Sequence, residues 1–176
     1  MDLASISSIS GIIASLFTGV GLIYAGWQIK LLKKTHTDNH DWNRRLAAQE
    51  AVANLRLHAP IAAELNKLFN STNLTEGIPL DVILKAFKED KSIQNKVNEI
   101  LNGYESLARG VYQGIYDEEV VKSARRGAMI QQFVAYESYI KDRRINVYKN
   151  AYLQIESLAN KWKLEDNSNH YRNKTG

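Results

Sequence analysis

The segment LASISSISGIIASLFTGVGLIYAGWQI, residues 3–29, contains no charged side chain, and it sets the architecture that the rest of the chain must fit. A helix needs roughly 20 apolar residues to cross a bilayer, so a run of this length predicts one membrane-spanning helix. Tyr24 and Trp27 lie near its C-terminal end, where amphipathic rings prefer the membrane interface. The sequence therefore predicts an N-terminal membrane anchor.

The charges that flank this segment predict its orientation. Lys30, Lys33 and Lys34 follow it, whereas only Asp2 and the amino terminus precede it. Because an excess of Lys and Arg marks the cytoplasmic side, we expect a single-pass protein with its N-terminus outside and its C-terminal part in the cytoplasm. A cleaved signal peptide would carry its positive charge before the apolar run, and this sequence carries it after.

One row along the predicted span is rich in small and hydroxylated residues. Small residues mark helix–helix contacts in lipid, which predicts an oligomer seam. A hydroxylated row can also line a pore, and since one span cannot enclose a pore, that interpretation requires several copies, with a tetramer favoured. A plain anchor in membrane lipid is the third alternative. The row consists of Ser8, Gly11, Ser15, Thr18, Gly19 and Leu22.

The remainder of the chain is charged and has helical periodicity. The 176 residues include 23 Lys or Arg and 19 Asp or Glu, for a net charge of +4, and no Cys. The absence of Cys excludes disulfides and zinc–thiolate sites. Apolar residues recur every three or four positions, and no run alternates with the period of a strand. We therefore predict an all-α protein, with one N-terminal transmembrane helix followed by a cytoplasmic helical bundle.

We expect four segments along the chain. They are a transmembrane helix with a basic flank (1–34), a juxtamembrane helix (35–69), a cytoplasmic helical bundle (70–164) and a flexible polar tail (165–176). Pro60 is expected to kink or split the second segment. Within the bundle, Asp117 is expected to cap a helix, and Gly127 to precede one long last helix that reaches Trp162.

The second half of the chain contains a recognisable set of residues, namely Asn102, Glu105, Gly110, Gly114, Asp117, Tyr139, Arg143 and Trp162. This set resembles the pattern of an uncharacterised bacterial family that carries a domain of unknown function. The resemblance implies one membrane helix and a helical cytoplasmic domain at a bacterial inner membrane. From the residues alone, Glu105 is expected to pair with Arg109 on one helix face or to reach Arg143 across the bundle.

In plan, the chain is also similar to the membrane effectors of bacterial anti-phage systems, such as the effector of the Hailong system. That effector is an oligomeric membrane protein controlled by the product of a nucleotidyltransferase. The similarity implies a role in antiviral defence and a nucleotidyltransferase as partner.

Cations and tyrosines alternate along the second half of the chain. Arg beside aromatic faces is typical of sites for nucleotides and single-stranded nucleic acids, and the cations neutralise phosphates. An anionic nucleotide or oligonucleotide is therefore one hypothesis for a ligand. The alternative is that the tyrosines fill the core and the cations are solvated or balanced by carboxylates. The candidate ligand-binding cations are Lys122, Arg125, Arg126, Arg143 and Arg144.

The sequence contains no catalytic motif of the Walker, G-x-S-x-G, H-E-x-x-H or dinucleotide-binding kind. His36 and His40 would share a helix face as a metal half-site, but their polar surroundings favour a solvated face. We therefore expect no enzymatic activity, cofactor or metal.

The function predicted from these patterns is that of an oligomeric membrane effector of bacterial anti-phage defence. Its spans would form a gated, ion-conducting pore controlled by the cytoplasmic domain. The alternative is a non-channel, membrane-tethered adaptor that recruits a cytoplasmic partner.

Overall fold

The structure, a computed structural model, describes the backbone of residues 3–71 and 76–172 and the side chains of residues 21–71 and 76–165. Within these residues the chain is all-α, as the sequence predicts, and contains no strand. The helices are α1 (Leu3–Arg56), α2 (Ala59–Leu68), α3 (Leu80–Glu89), α4 (Lys91–Tyr112), α5 (Glu118–Ala135), α6 (Glu137–Asn146) and α7 (Leu153–Arg172).

The chain forms two compact units, Met1–Asn43 and Arg44–Gly176. The first contains the N-terminal part of α1, and the second contains the end of α1 and all the other helices. Among the described residues, no helix carries an apolar stretch long enough to cross a membrane.

Most of the predicted seam or pore row lies outside the residues whose side chains are described. This applies to Ser8, Gly11, Ser15, Thr18 and Gly19. Leu22, the last member of the row, is 70% exposed. Trp27 in the same unit is exposed as well.

Helix α4 is the centre of the second unit, where it packs against α2, α3, α5 and α7. It begins at an N-cap, Asp90, whose carboxylate accepts a hydrogen bond of 2.8 Å from the backbone N–H of Ser92. Its apolar stripe faces the core, and Val97, Leu101 and Ala108 within it are completely buried. The helical stripe that the sequence predicts over this region is therefore confirmed.

Local sequence signals determine two further helix ends. Helix α1 ends at Arg56, and Pro60 lies in the first turn of α2, where its missing N–H removes no helical bond. Pro60 thus separates two helices, as predicted. Asp117 caps α5, and its carboxylate accepts a hydrogen bond of 3.1 Å from the N–H of Val120, which confirms the predicted cap.

The prediction of one long last helix after Gly127 is wrong. Helix α5 runs through Gly127 and ends at Ala135, and α6 and α7 follow. One Gly costs a helix only about 1 kcal/mol relative to Ala. The actual break occurs where the Ala135 carbonyl accepts a hydrogen bond of 2.9 Å from the N–H of Ile78. Helix α7 continues to Arg172.

Candidate functional site

A cleft of about 200 Å³ lies between α4, α6 and the turn that joins α6 to α7. It brings together three residues of the set that resembles the uncharacterised family, namely Asn102, Glu105 and Arg143. We call it the Glu105–Arg143 cleft. Its lining consists of Asn102, Glu105, Arg109, Arg143, Tyr148, Asn150, Ala151 and Tyr152.

Glu105 forms the floor of the cleft and is only 8% exposed. Its Oε2 accepts a hydrogen bond of 2.9 Å from the N–H of Ile155, and its Oε1 accepts one of 3.3 Å from the N–H of Gln154. These N–H groups belong to the first turn of α7, where a negative charge is stabilised by the helix dipole. Glu105 therefore caps α7 from a neighbouring helix.

The charge of Glu105 is also close to Arg109. Its Oε1 lies 3.7 Å from Nη2 of Arg109, one turn further along α4. Of the two partners that the sequence offers for Glu105, the structure brings Arg109 and not Arg143 into ion-pair range among the described residues. The carboxylate is thus balanced without Arg143.

Arg143 presents a positive charge that no carboxylate of the described residues balances. Its guanidinium lies 5.9 Å from the centroid of the Tyr139 ring, within the range of a cation–π contact. The Tyr139 hydroxyl is fixed in turn, because it donates a hydrogen bond of 2.9 Å to Oδ1 of Asn98. The Nε of Arg143 is buried and has no hydrogen-bond partner in the described part of the chain.

The turn between α6 and α7 forms the wall opposite α4. Burial raises the pKa of the Tyr152 phenol, and the nearby Tyr139 and Glu105 add to this shift while the charge of Arg143 opposes it. Tyr152 also has a left-handed backbone, with φ 58°, which is uncommon for a bulky residue. Tyr148 in the same turn is 62% exposed, so its ring is accessible from the cleft.

Arg144 holds this turn in place. Its Nε donates a hydrogen bond of 2.8 Å to the carbonyl of Ala151, and its Nη2 donates one of 3.1 Å to the carbonyl of Tyr152. Its Nη1 lies 2.7 Å from Oε2 of Glu156. Because these contacts occupy the guanidinium, Arg144 builds the wall of the cleft, whereas Arg143 faces into it.

The three predicted cations of α5 are not part of this cleft. Nζ of Lys122 lies 2.6 Å from Oε2 of Glu165, and this hydrogen-bonded contact raises the pKa of Lys122 above its ordinary value. Arg126 donates a hydrogen bond of 2.8 Å to the carbonyl of Trp162. Arg125 donates one of 3.3 Å to the carbonyl of Val52.

Apart from Tyr139, the remaining residues of the set lie at or next to the turn between α4 and α5. Gly110 is buried against the ring of Tyr116, which a Cβ at this position would overlap. Gly114 adopts φ +68°, a conformation that favours glycine. Trp162 is fully buried, and its Nε1 donates a hydrogen bond of 2.9 Å to Glu118. The set therefore divides into a cleft group, a group at this turn, and Tyr139, whose ring contacts Arg143.

Four lining residues of the cleft are not among the candidates drawn from the sequence, namely Tyr148, Asn150, Ala151 and Tyr152. Only the general alternation of cations and tyrosines pointed to this region, because the break between α6 and α7 carries no Gly or Pro. Within the described residues, no group of three His, Cys, Asp or Glu could hold a metal ion.

Comparison with known proteins gives the class of the chain. Residues 15–162 match the family described as a domain of unknown function, DUF4760, and the chain belongs to that family. No curated protein gives a significant match. No solved structure gives one either. The family description assigns no chemistry, so a functional argument depends on the geometry of the cleft and on the sequence.

Proposed function

We propose that this protein is a membrane-anchored, homo-oligomeric effector of bacterial antiviral defence. Residues 3–29 anchor it, the row that contains Ser15 and Thr18 lines a gated pore between copies, and the helical unit controls the gate. The uncharged length of residues 3–29 supports the anchor. One observation supports control of the gate by a ligand: the charge of Arg143 in the Glu105–Arg143 cleft is unbalanced.

The chemistry of the cleft favours an anionic ligand of the nucleotide type. Arg143 and Arg109 supply guanidinium groups that bind phosphate oxygens with paired donors. Asn102 and Asn150 supply amides, and the accessible ring of Tyr148 supplies a stacking surface for a base. The volume of about 200 Å³ is below that of sites for drug-sized ligands, roughly 300–1,000 Å³, so the cleft would take one phosphate group and its neighbouring atoms while the rest of an oligonucleotide lies outside it.

Binding in the cleft can change the balance between closed and open states. A ligand shifts such an equilibrium only by its different affinities for the two states. The cleft is built on α4, and the turn at the end of α4 is bonded to α1. The N–H of Asp117 donates to the carbonyl of Arg44 at 3.3 Å, Arg44 donates to the carbonyl of Tyr116 at 3.4 Å, and Arg45 contacts Asp117 at 3.4 Å.

Ligand binding is tested with the full chain in detergent and a fluorescent single-stranded oligonucleotide. We expect Arg143→Gln to weaken binding by roughly 10- to 150-fold, because one charge-assisted contact contributes roughly 1.5–3 kcal/mol. Lys141→Gln is the matched control, since Lys141 lies on the same helix, is exposed and, among the described side chains, forms an ion pair with Glu137 alone. Equal losses of affinity in the two variants would show that the oligonucleotide binds through general surface charge and not in the cleft.

The pore is tested by ion flux into liposomes that contain the purified protein. We expect Ser15→Leu and Thr18→Leu to abolish flux without preventing assembly, because each replaces a hydroxyl of the proposed lining with a bulky apolar group. Ile13→Leu, outside the row, should leave the flux unchanged. Unchanged flux in the two row variants would remove the pore from the proposal.

The membrane-tethered adaptor is a second candidate, and exposed apolar side chains next to the cleft favour it. Ile145 is 82% exposed, and Val147 is exposed beside it. An adaptor needs only an anchor, so exchanging residues 3–29 for an unrelated apolar helix should preserve its activity. The effector proposed above should lose its activity in the same exchange.

A further inference from the structure

A second cavity, separate from the Glu105–Arg143 cleft, lies between the end of α1, α2, α4 and α5. It has a volume of about 220 Å³ and shares no lining residue with the cleft. Small side chains keep it open, because alanines line it from both α2 and α5. They are Ala59, Ala62, Ala63 and Ala128. We call it the Arg125 cavity.

Two largely buried residues with polar groups also line this cavity. Gln132 is 5% exposed, and Tyr104 is 7% exposed. The amide of Gln132 and the hydroxyl of Tyr104 can supply hydrogen bonds to a molecule bound there.

Arg125 supplies the only guanidinium among the described lining residues, and no carboxylate of those residues is in ion-pair range of it. One contact, from Nη2 to the carbonyl of Val52 at 3.3 Å, is made to the protein, and Nε is buried without a partner. His58 also lines the cavity, and its Nδ1 lies 2.9 Å from Oε1 of Glu99. A partly buried cation without a counter-ion favours an anion.

We propose that the Arg125 cavity binds a short organic carboxylate. Its single uncompensated positive charge matches one carboxylate, which the guanidinium can bind with two parallel hydrogen bonds. The alanines, with Leu55 and Ile100, form apolar walls for a short aliphatic body, and Gln132 and Tyr104 bind the remaining polar atoms. The volume is below that of sites for drug-sized ligands, roughly 300–1,000 Å³.

Binding at this position joins the end of α1 to the bundle. Leu55 of α1 lines the cavity, and Arg125 already contacts the α1 carbonyl of Val52. A carboxylate bound there contacts three other helices at the same time. Because a ligand that binds only the folded state stabilises it, the carboxylate raises the melting temperature of the protein.

The experiment measures butyrate binding to the full chain in detergent by calorimetry and by the shift in melting temperature. Butanol serves as the uncharged matched ligand. We expect butyrate to bind and butanol not to, Arg125→Gln to weaken butyrate binding at least tenfold, and Lys141→Gln, which changes a cation outside the lining of both cavities, to leave it unchanged. Equal binding of butanol, or equal losses in the two variants, would overturn the proposal.

Ala128→Leu keeps the test decisive if Arg125→Gln does not fold. This change retains the charge of Arg125 and fills part of the cavity, so we expect it to abolish butyrate binding while Lys141→Gln still binds butyrate. Undiminished binding by Ala128→Leu, or no binding by the unaltered protein, would contradict the assignment. Neither result bears on oligonucleotide binding in the Glu105–Arg143 cleft.

Discussion

Replacing Glu105 by alanine removes the carboxylate that caps α7 from α4. The two N–H groups that it serves, those of Gln154 and Ile155, begin the helix that carries Trp162 into the core. In the variant these donors remain in a largely buried position without an acceptor. The change therefore tests whether this member of the family set has a structural role.

The size of the effect follows from the two hydrogen bonds. A bond to a charged group contributes roughly 1.5–3 kcal/mol. The bond to Ile155, at 2.9 Å, has near-ideal length, whereas the bond to Gln154, at 3.3 Å, is long and weaker. We therefore expect Glu105→Ala to lower the free energy of unfolding by about 3 kcal/mol. For a protein of this size, the melting temperature falls by roughly 10 °C.

The assay is thermal unfolding of the full chain in detergent, followed by circular dichroism. Arg109→Gln is the matched control, because it removes the exposed partner of the Glu105 carboxylate and leaves both helix-capping bonds intact. An exposed ion pair contributes roughly 0.2–1 kcal/mol, so the melting temperature of this variant should change little. Similar losses in the two variants would refute the capping argument and attribute the role of Glu105 to the ion pair.

Two further predictions concern a pair of glycines in α4 and α5 and the carboxylate of Glu118 at the start of α5. Gly110→Ala should lower the free energy of unfolding by about 1–3 kcal/mol, because the added methyl overlaps the ring of Tyr116. In Gly127→Ala the added methyl meets open space, so this variant should be neutral or stabilised by up to about 1 kcal/mol. Chemical denaturation of the two variants measures both effects. Burial disfavours ionised Glu118. Hydrogen bonds from Lys161 and from the indole of Trp162 outweigh burial and hold the pKa of Glu118 below the ordinary 4.5. A depressed carboxyl pKa stabilises the fold above the unfolded value, so the advantage of the unaltered protein over Glu118→Gln should be full at pH 7 and fade as the pH falls below about 4.5. A stability difference that stays constant across this range would contradict that assignment.

The features that the sequence predicts correctly are those whose causes lie within a few residues. Pro60 separates two helices by its own ring geometry. Asp117 caps a helix through a donor three residues away. The apolar residues of α4 recur every three or four positions, so they share one face of the helix, and that face packs into the core.

The features that the sequence does not predict depend on distant partners. The break after Ala135 is accompanied by a hydrogen bond from Ile78, and the hydroxyl of Ser138 donates to the Ile78 carbonyl at 2.7 Å. The turn before α7 is held by Arg144 through two carbonyls. No Gly or Pro marks either position, so periodicity alone extends one helix through both.

The candidate site shows the same division. Asn102, Glu105 and Arg143 come from the resemblance, and the structure places them in one cleft. The cations of α5 look like one patch in sequence, yet they contact different parts of the bundle. Lys122 contacts a carboxylate of α7, whereas Arg125 contacts a carbonyl of α1. Sequence spacing gives the helix face of a side chain but not the helix that covers it.

The proposed pore requires several copies of this chain to assemble in a bilayer through residues 3–29. Native mass spectrometry of the full chain in lipid nanodiscs measures the number of copies directly. The account predicts one defined oligomer, with four copies favoured, that survives the Ser15→Leu change. A uniform monomer would contradict it, because a single span cannot enclose a pore.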